Sequence, residues 1–152
     1  MVNEGEKAPD FLLVGSDGRK HAMKEFRGKY LVLYFYPKDD TPGCTTEAKD
    51  FNASINEIKE LGAEVVGVSK DSPESHGKFC SKYSLNFTLL SDPESSAIKA
   101  YGAYGDRGVF GKGTLRKTYI IDKSGIVVKV FPKVKPGGHD KEVIEFLKSV
   151  SR

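Results

Sequence analysis

Several features that would assign a class at once are missing from this chain of 152 residues. Its longest apolar run, Tyr30-Leu31-Val32-Leu33-Tyr34-Phe35-Tyr36, has 7 residues. A bilayer span needs roughly 18, so no membrane partner is expected. Only two cysteines are present, Cys44 and Cys80, too few for a disulfide scaffold. Neither they nor His21, His76 and His139 fall into C-x2-C or H-x3-H spacing, so no metal site is expected. A dominant charge is lacking too. The net charge of +3 implies no polyanion partner by itself. One stretch is uneven: Lys112, Arg116, Lys117, Lys123, Lys129, Lys133 and Lys135 face the single acid Asp122. With sparse aromatics among them, they read as a solvated basic face and no nucleic-acid partner is expected.

What is present suits one folded unit. With 38% hydrophobic and 30% charged residues, the chain has apolar mass for a core and a charge balance unlike that of disordered segments. Its length predicts a single domain over 1–152. Met1 to Lys7 carry acids and no apolar h-region, so the cytoplasm is the expected location. In such a reducing compartment the two thiols serve packing or chemistry rather than a permanent staple.

Phe11 to Val14 and Arg19 to Met23, joined by Gly15-Ser16-Asp17-Gly18, predict a small hairpin ahead of the main sheet. Tyr30 to Tyr36 is apolar on both faces and predicts a central strand, with Ala63 to Ser69 a second. Between them Ala48, Phe51, Ile55 and Ile58 recur at helical steps up to the stop at Gly62, completing a strand-helix-strand unit. Ser72-Pro73 opens a helix to about Tyr83, and Asp92-Pro93 repeats the device before a short helix from Ser95 to Tyr101. Thr88 to Leu90 is a short strand. Gly102 to Gly113 reads as a mobile glycine-rich loop. Thr118 to Asp122 and Ile126 to Phe131 predict a hairpin, and Asp140 to Val150 a last helix. These elements predict an α/β fold of three layers around a mixed sheet.

The chemically loaded stretch is Pro37-Lys38-Asp39-Asp40-Thr41-Pro42-Gly43-Cys44-Thr45-Thr46-Glu47, which leaves a buried strand and enters a helix. Sites in α/β folds are built at such junctions. Cys44 lies four residues before Ala48, so it falls on the buried stripe of the first helical turn, where free N–H groups and the helix dipole favour a thiolate. Thr41 can bring a hydroxyl toward the sulfur. Pro42 lacks an N–H, which leaves the Gly43 and Cys44 amides to face a substrate oxygen. Plain packing of a small apolar cysteine is the competing reading.

The string Pro37-x-x-x-Thr41-x-x-Cys44 resembles the active-site signature of the peroxiredoxins. The wider match, from Gly5-Glu6-Lys7-Ala8-Pro9-Asp10-Phe11 through Arg116-Lys117-Thr118-Tyr119-Ile120-Ile121-Asp122 to Gly138-His139, is similar to their bacterioferritin-comigratory-protein or Q-type branch. The resemblance implies a thioredoxin-like fold decorated by the N-terminal hairpin, and reduction of hydrogen peroxide and alkyl hydroperoxides without a cofactor. It implies Cys44 as the peroxidatic thiol, Thr41 as the hydroxyl that orients peroxide, Pro37 and Pro42 as shielding walls, and Arg116 as the guanidinium beside the thiolate. Glu47 matches the acid of the motif, though a helpful charge in the first helical turn would also account for it.

Many members of that branch carry a resolving cysteine five residues after the first, and here that place holds Lys49. A minority place it on the later helix, which Cys80 matches at a separation of 36 residues. On this layout Cys80 attacks the Cys44 sulfenic acid, and a thioredoxin-like dithiol protein reopens the disulfide. Thiols on two helices separated by a strand are not expected to meet disulfide geometry in the reduced fold, so local unwinding is predicted. The alternative is a one-cysteine peroxidase with Cys80 as a packing thiol against Phe79 and Tyr83. A thioredoxin-type oxidoreductase is disfavoured because Thr45-Thr46-Glu47 follows Cys44 where C-x-x-C is needed. A redox-responsive holdase or binding protein stands as the alternative from another class. His76 reads as a solvated helix histidine and His139 as the start of the last helix. A monomer is expected, since intramolecular resolution needs no second chain.

Overall fold

The computed structural model describes residues 2–150. The chain folds into a seven-stranded sheet covered on both faces. Strands β1 (Leu12–Gly15), β2 (Lys20–Ala22), β3 (Tyr30–Phe35), β4 (Ala63–Ser69), β5 (Thr88–Ser91), β8 (Lys117–Ile121) and β9 (Val127–Phe131) lie in the order β2-β1-β5-β4-β3-β8-β9. The three central strands β5, β4 and β3 are parallel, and antiparallel pairs extend them on either side. No helix among the described residues is long and apolar enough to cross a membrane.

Alternation along β3 builds the two halves of the core. Leu31, Leu33 and Phe35 face a layer formed by a 3-10 turn over Met23–Phe26 and helix α4 (Ser96–Tyr101). Val32 and Tyr34, with Tyr36 beyond the strand end, face α1 (Pro42–Ala53), α2 (Ile55–Glu60), α3 (Pro73–Tyr83) and α5 (His139–Val150). Cys44 and Cys80 both belong to this second half.

Three expectations change. The N-terminal hairpin is an integral edge of the sheet, because β1 pairs with β5 through Val14–Ser91 and Gly15–Leu90. The helix expected across Ala48 to Ile58 is two helices. Ser54 interrupts it at φ −99° and ψ 4°, and its hydroxyl donates to the Asp140 carboxylate, an alternative to the helical ladder that serine offers readily. The short helix expected over Ser95 to Tyr101 forms as Ser96–Tyr101 with Ser95 at its N-cap, and Asp92 accepts from the Ser96 and Ile98 amides. The glycine-rich stretch contains a second small sheet, β6 (Tyr104–Asp106) paired with β7 (Lys112–Thr114). Its turn leaves Val109 and Phe110 exposed.

Candidate active site

The sheet places the site at the carboxyl end of β3, where the chain turns through Pro37 to Thr41 into α1. Thr41 is the N-cap residue, and Pro42 occupies the first turn with its φ already suited to helix. Cys44, Glu47, Ala48 and Phe51 form the buried stripe of α1 at steps of 3, 1 and 3, which sends the thiol inward in the first turn. Cys44 is 2% exposed. The Thr41 hydroxyl donates to the Lys38 carbonyl at 2.8 Å, which folds the approach loop back on itself.

Arg116 arrives from another element. It immediately precedes β8, whose Lys117 pairs with Phe35 of β3, so strand register sets the guanidinium beside the end of β3. Arg116 Nη2 donates to Cys44 Sγ at 3.5 Å, and Nη1 donates to Glu47 Oε1 at 2.7 Å. Gly43 makes room for this head group. A Cβ there would lie 3.1 Å from Arg116 Nη2 and 3.2 Å from Pro136 Cγ. The small residue is therefore needed for a steric reason that the motif alone does not state.

Glu47 is buried, at 1% exposure, and lies beyond the first turn of α1, so an ordinary dipole contribution does not describe it. Burial pushes its carboxyl up to about 7, while the Arg116 charge and hydrogen bond pull it down. Arg116 is itself held above its ordinary value by the negative groups at Cys44 and Glu47, against the opposing effect of burial. Glu47 Oε2 and the Tyr34 hydroxyl are buried without a hydrogen-bond partner in the protein.

A second polar cluster, absent from the sequence reading, locks the approach loop to α3. Asp39 accepts from the Tyr36 hydroxyl at 2.6 Å and from the Ser75 hydroxyl at 2.8 Å. His76 Nδ1 lies 2.7 Å from Asp39 Oδ2, and His76 Nε2 donates to the Leu90 carbonyl at 2.9 Å. With hydroxyl groups already donating to both carboxylate oxygens, Asp39 is fully engaged, and the His76 ring bridges it to the Leu90 backbone. Asp40, at φ 55°, bonds Lys82 and Tyr83 on the far end of the same helix. His76 is fully buried, contrary to the solvated position expected. A signal existed: His76, Phe79 and Tyr83 recur at steps of 3 and 4, which puts the histidine on the inward stripe. Asp39, Asp71 and His76 have ligand atoms within 4.8 Å of one another, but hydrogen bonds already engage all three.

Cys80 is a free thiol, partly buried against the same core half as Cys44. Burial pushes it up, a nearby Ser16 hydroxyl lowers it, and Asp39 raises it further. His139 opens α5 as expected but is buried, with Nε2 2.8 Å from the Thr118 hydroxyl and Nδ1 2.9 Å from Glu142. Pro37 is partly buried at the strand end and Pro42 is exposed at the helix start. The basic residues between Lys112 and Lys135 divide. Arg116 joins the site, Lys117 donates to the Gly102 carbonyl at 2.9 Å, and Lys112, Lys123, Lys133 and Lys135 are exposed.

Residues 4–130 match the model of the AhpC/TSA family. A bcp peroxiredoxin of Helicobacter pylori is 49% identical over 146 residues, covering 94% of this chain and 96% of that protein. The crystal structure of a cysteine-to-serine variant of PrxQ from Xylella fastidiosa superposes with a TM-score of 0.96 at 32% identity, over 100% of this chain and 99% of that one. The bacterioferritin comigratory protein of Xanthomonas campestris, described for its alkyl peroxide reduction, gives a TM-score of 0.89 at 37% identity, over 93% and 92% of the two chains. The fold is thioredoxin-like, as the sequence implied.

Proposed function

The chain belongs to the AhpC/TSA family and is a thiol peroxidase of the Bcp and Q type, and on that premise we propose that Cys44 is its peroxidatic thiol. One observation carries the assignment: Arg116 Nη2 stands 3.5 Å from Cys44 Sγ at the start of a helix, with its other nitrogen anchored on Glu47. A guanidinium is permanently charged and offers several donors in a fixed plane. It can therefore hold a thiolate and the peroxide oxygens together. The Cys44 sulfur attacks the terminal peroxide oxygen, the O–O bond breaks, and its electrons leave with the second oxygen. That oxygen departs as water or alcohol after taking up the proton the thiol had released, and Cys44 becomes a sulfenic acid. Thr41 and the Gly43 and Cys44 amides orient the peroxide, Pro37 and Pro42 wall it off, and Glu47 fixes the angle of Arg116.

Cys80 then resolves the sulfenic acid as an intramolecular disulfide, and a thioredoxin-like dithiol protein returns both thiols. The placement of Cys80 against the core half that holds Cys44 supports this route. Hydrogen peroxide and alkyl hydroperoxides are the substrates, in line with the alkyl peroxide reduction described for the Xanthomonas relative. The working form is a cytoplasmic monomer, since resolution within one chain needs no partner and a reducing compartment regenerates the thiols.

A non-reducing peptide mass map after about one equivalent of hydrogen peroxide tests the whole reading. The expected product is a Cys44–Cys80 linked peptide. Cys44 found as sulfinic acid, or joined to another chain, with Cys80 free, would return Cys80 to a packing role. No oxidation at Cys44 would remove it as the peroxidatic residue.

A further inference from the structure

Tyr34 is a buried polar side chain of the site half that the peroxide reaction leaves unused. It projects from β3 into the apolar cluster that contains both Cys44 and Cys80. Its ring cannot swing away. Tyr36, Phe51 and Phe87 surround it with ring centroids at 5.4, 4.9 and 6.2 Å. Beneath it, a Cβ on Gly67 would come within 2.7 Å of Tyr34 Cζ, so the neighbouring strand gives up a side chain to seat this ring. At the end of so fixed a group is a hydroxyl with no hydrogen-bond partner in the protein. Leaving a buried hydroxyl unpaired forfeits its hydration without a replacement bond, and phenylalanine would fill the same space without that cost.

Negative charge at Glu47, Cys44 and Cys80 each opposes ionisation of Tyr34, which burial already disfavours most strongly. The phenol therefore stays protonated in the core half that holds both sulfurs, as a donor with nothing to donate to. Resolution creates a need for such a donor. The Cys80 thiol has to lose a proton, and the oxygen leaving Cys44 has to gain one.

We propose that Tyr34 is a catalytic residue of the resolving step, relaying a proton from Cys80 to the oxygen that leaves Cys44. The Cys80 sulfur attacks the Cys44 sulfur, the S–S bond forms and the S–O bond breaks. The phenol gives its proton to the departing oxygen and takes the Cys80 proton in return, so one thiol and one sulfenic acid yield one disulfide and one water. The relay rests on the reading that Cys80 resolves Cys44.

The test is a single-turnover comparison of wild type and Tyr34→Phe, with peroxide loss and disulfide formation followed separately by rapid acid quench and mass analysis. Peroxide loss should stay within about twofold, since the phenol plays no part in O–O cleavage. Disulfide formation should slow at least about tenfold, and Cys44 sulfinic acid should accumulate at lower peroxide. Should the variant fold poorly, the solvent deuterium isotope effect on the wild-type disulfide step decides, and a value near 1 overturns the relay. A wild-type rate of disulfide formation in Tyr34→Phe also overturns it, whether the variant is more stable, as loss of an unpaired hydroxyl predicts, or less stable, as loss of a bound water would make it. If wild type forms no Cys44–Cys80 disulfide at all, the resolving role of Cys80 fails first and the relay with it.

Discussion

Two buried polar clusters flank the loop from Pro37 to Thr41, and they are finished to different degrees. Around Asp39 and His76, both carboxylate oxygens and both ring nitrogens have partners within 2.9 Å. Around Cys44, two buried oxygens have none, Glu47 Oε2 and the Tyr34 hydroxyl. Proteins rarely leave such atoms unpaired, because each forfeits hydration without a replacement bond. The completed cluster has one low-energy arrangement and holds the loop in it. The incomplete one keeps hydrogen-bonding capacity in reserve at the thiol, where reacting atoms arrive and depart. Shape is assigned to the first and chemistry to the second.

Breaking each cluster should therefore read out differently, and the largest effects come from its central residue. His76→Ala should cost about 3–5 kcal/mol of unfolding free energy, because removing the ring breaks a buried pair and leaves the Asp39 side chain short of a partner. Chemical denaturation measures this. Arg116→Met should instead lower the second-order rate with peroxide by on the order of 100 to 1000-fold, as removal of one charge-stabilising donor does elsewhere. An active Arg116→Met protein, or a fully stable His76→Ala protein, would dissolve the contrast.

The next effect is a pH slope. Glu47 is raised from 4.5 to about 7 in the folded protein. Between those values the folded state binds the proton that the unfolded state has lost, so stability falls as pH rises through that window. The total approaches about 3 kcal/mol at 1.36 kcal/mol per unit. The difference in denaturation midpoint between wild type and Glu47→Gln, followed from pH 4 to 8, isolates it, and parallel curves would contradict the buried carboxyl. The smallest effect belongs to the exposed end of the latch. Lys82 and Asp40 lie 2.7 Å apart with side chains 58% and 40% exposed. Lys82→Ala should shift the melting temperature by no more than about 2 °C, and added salt should remove even that.

The sequence disclosed the incomplete cluster better than the complete one. Cys44 was legible because a strand-to-helix junction and the helical stripe are local patterns, and Arg116 followed from the family likeness. Asp39 and His76 are 37 residues apart, and nothing in the spacing of either announces the other. Their pairing depends on α3 packing across β4 and β5, which only the assembled sheet supplies. Glu47 looked like a helix-dipole residue for the same reason: its burial is set by α1 lying on the sheet, with Arg116 coming from the strand on the other side. The break at Ser54 escaped notice because its bond to Asp140 spans 86 residues. In the glycine-rich stretch, turn residues concealed two short strands whose pairing is itself local.

The thiol and its cation are 72 residues apart, and only the pairing of β8 with β3 joins them. Synthesis runs from the N-terminus, so a growing chain exposes Cys44 well before Arg116 has been made. During that interval the proposed reactive centre lacks the group proposed to guide peroxide onto it. Non-local strand pairing is also among the slow events of folding. On the proposed assignment the protein is armed late, and the return of peroxide reactivity during refolding would serve as a clock for closure of its central sheet.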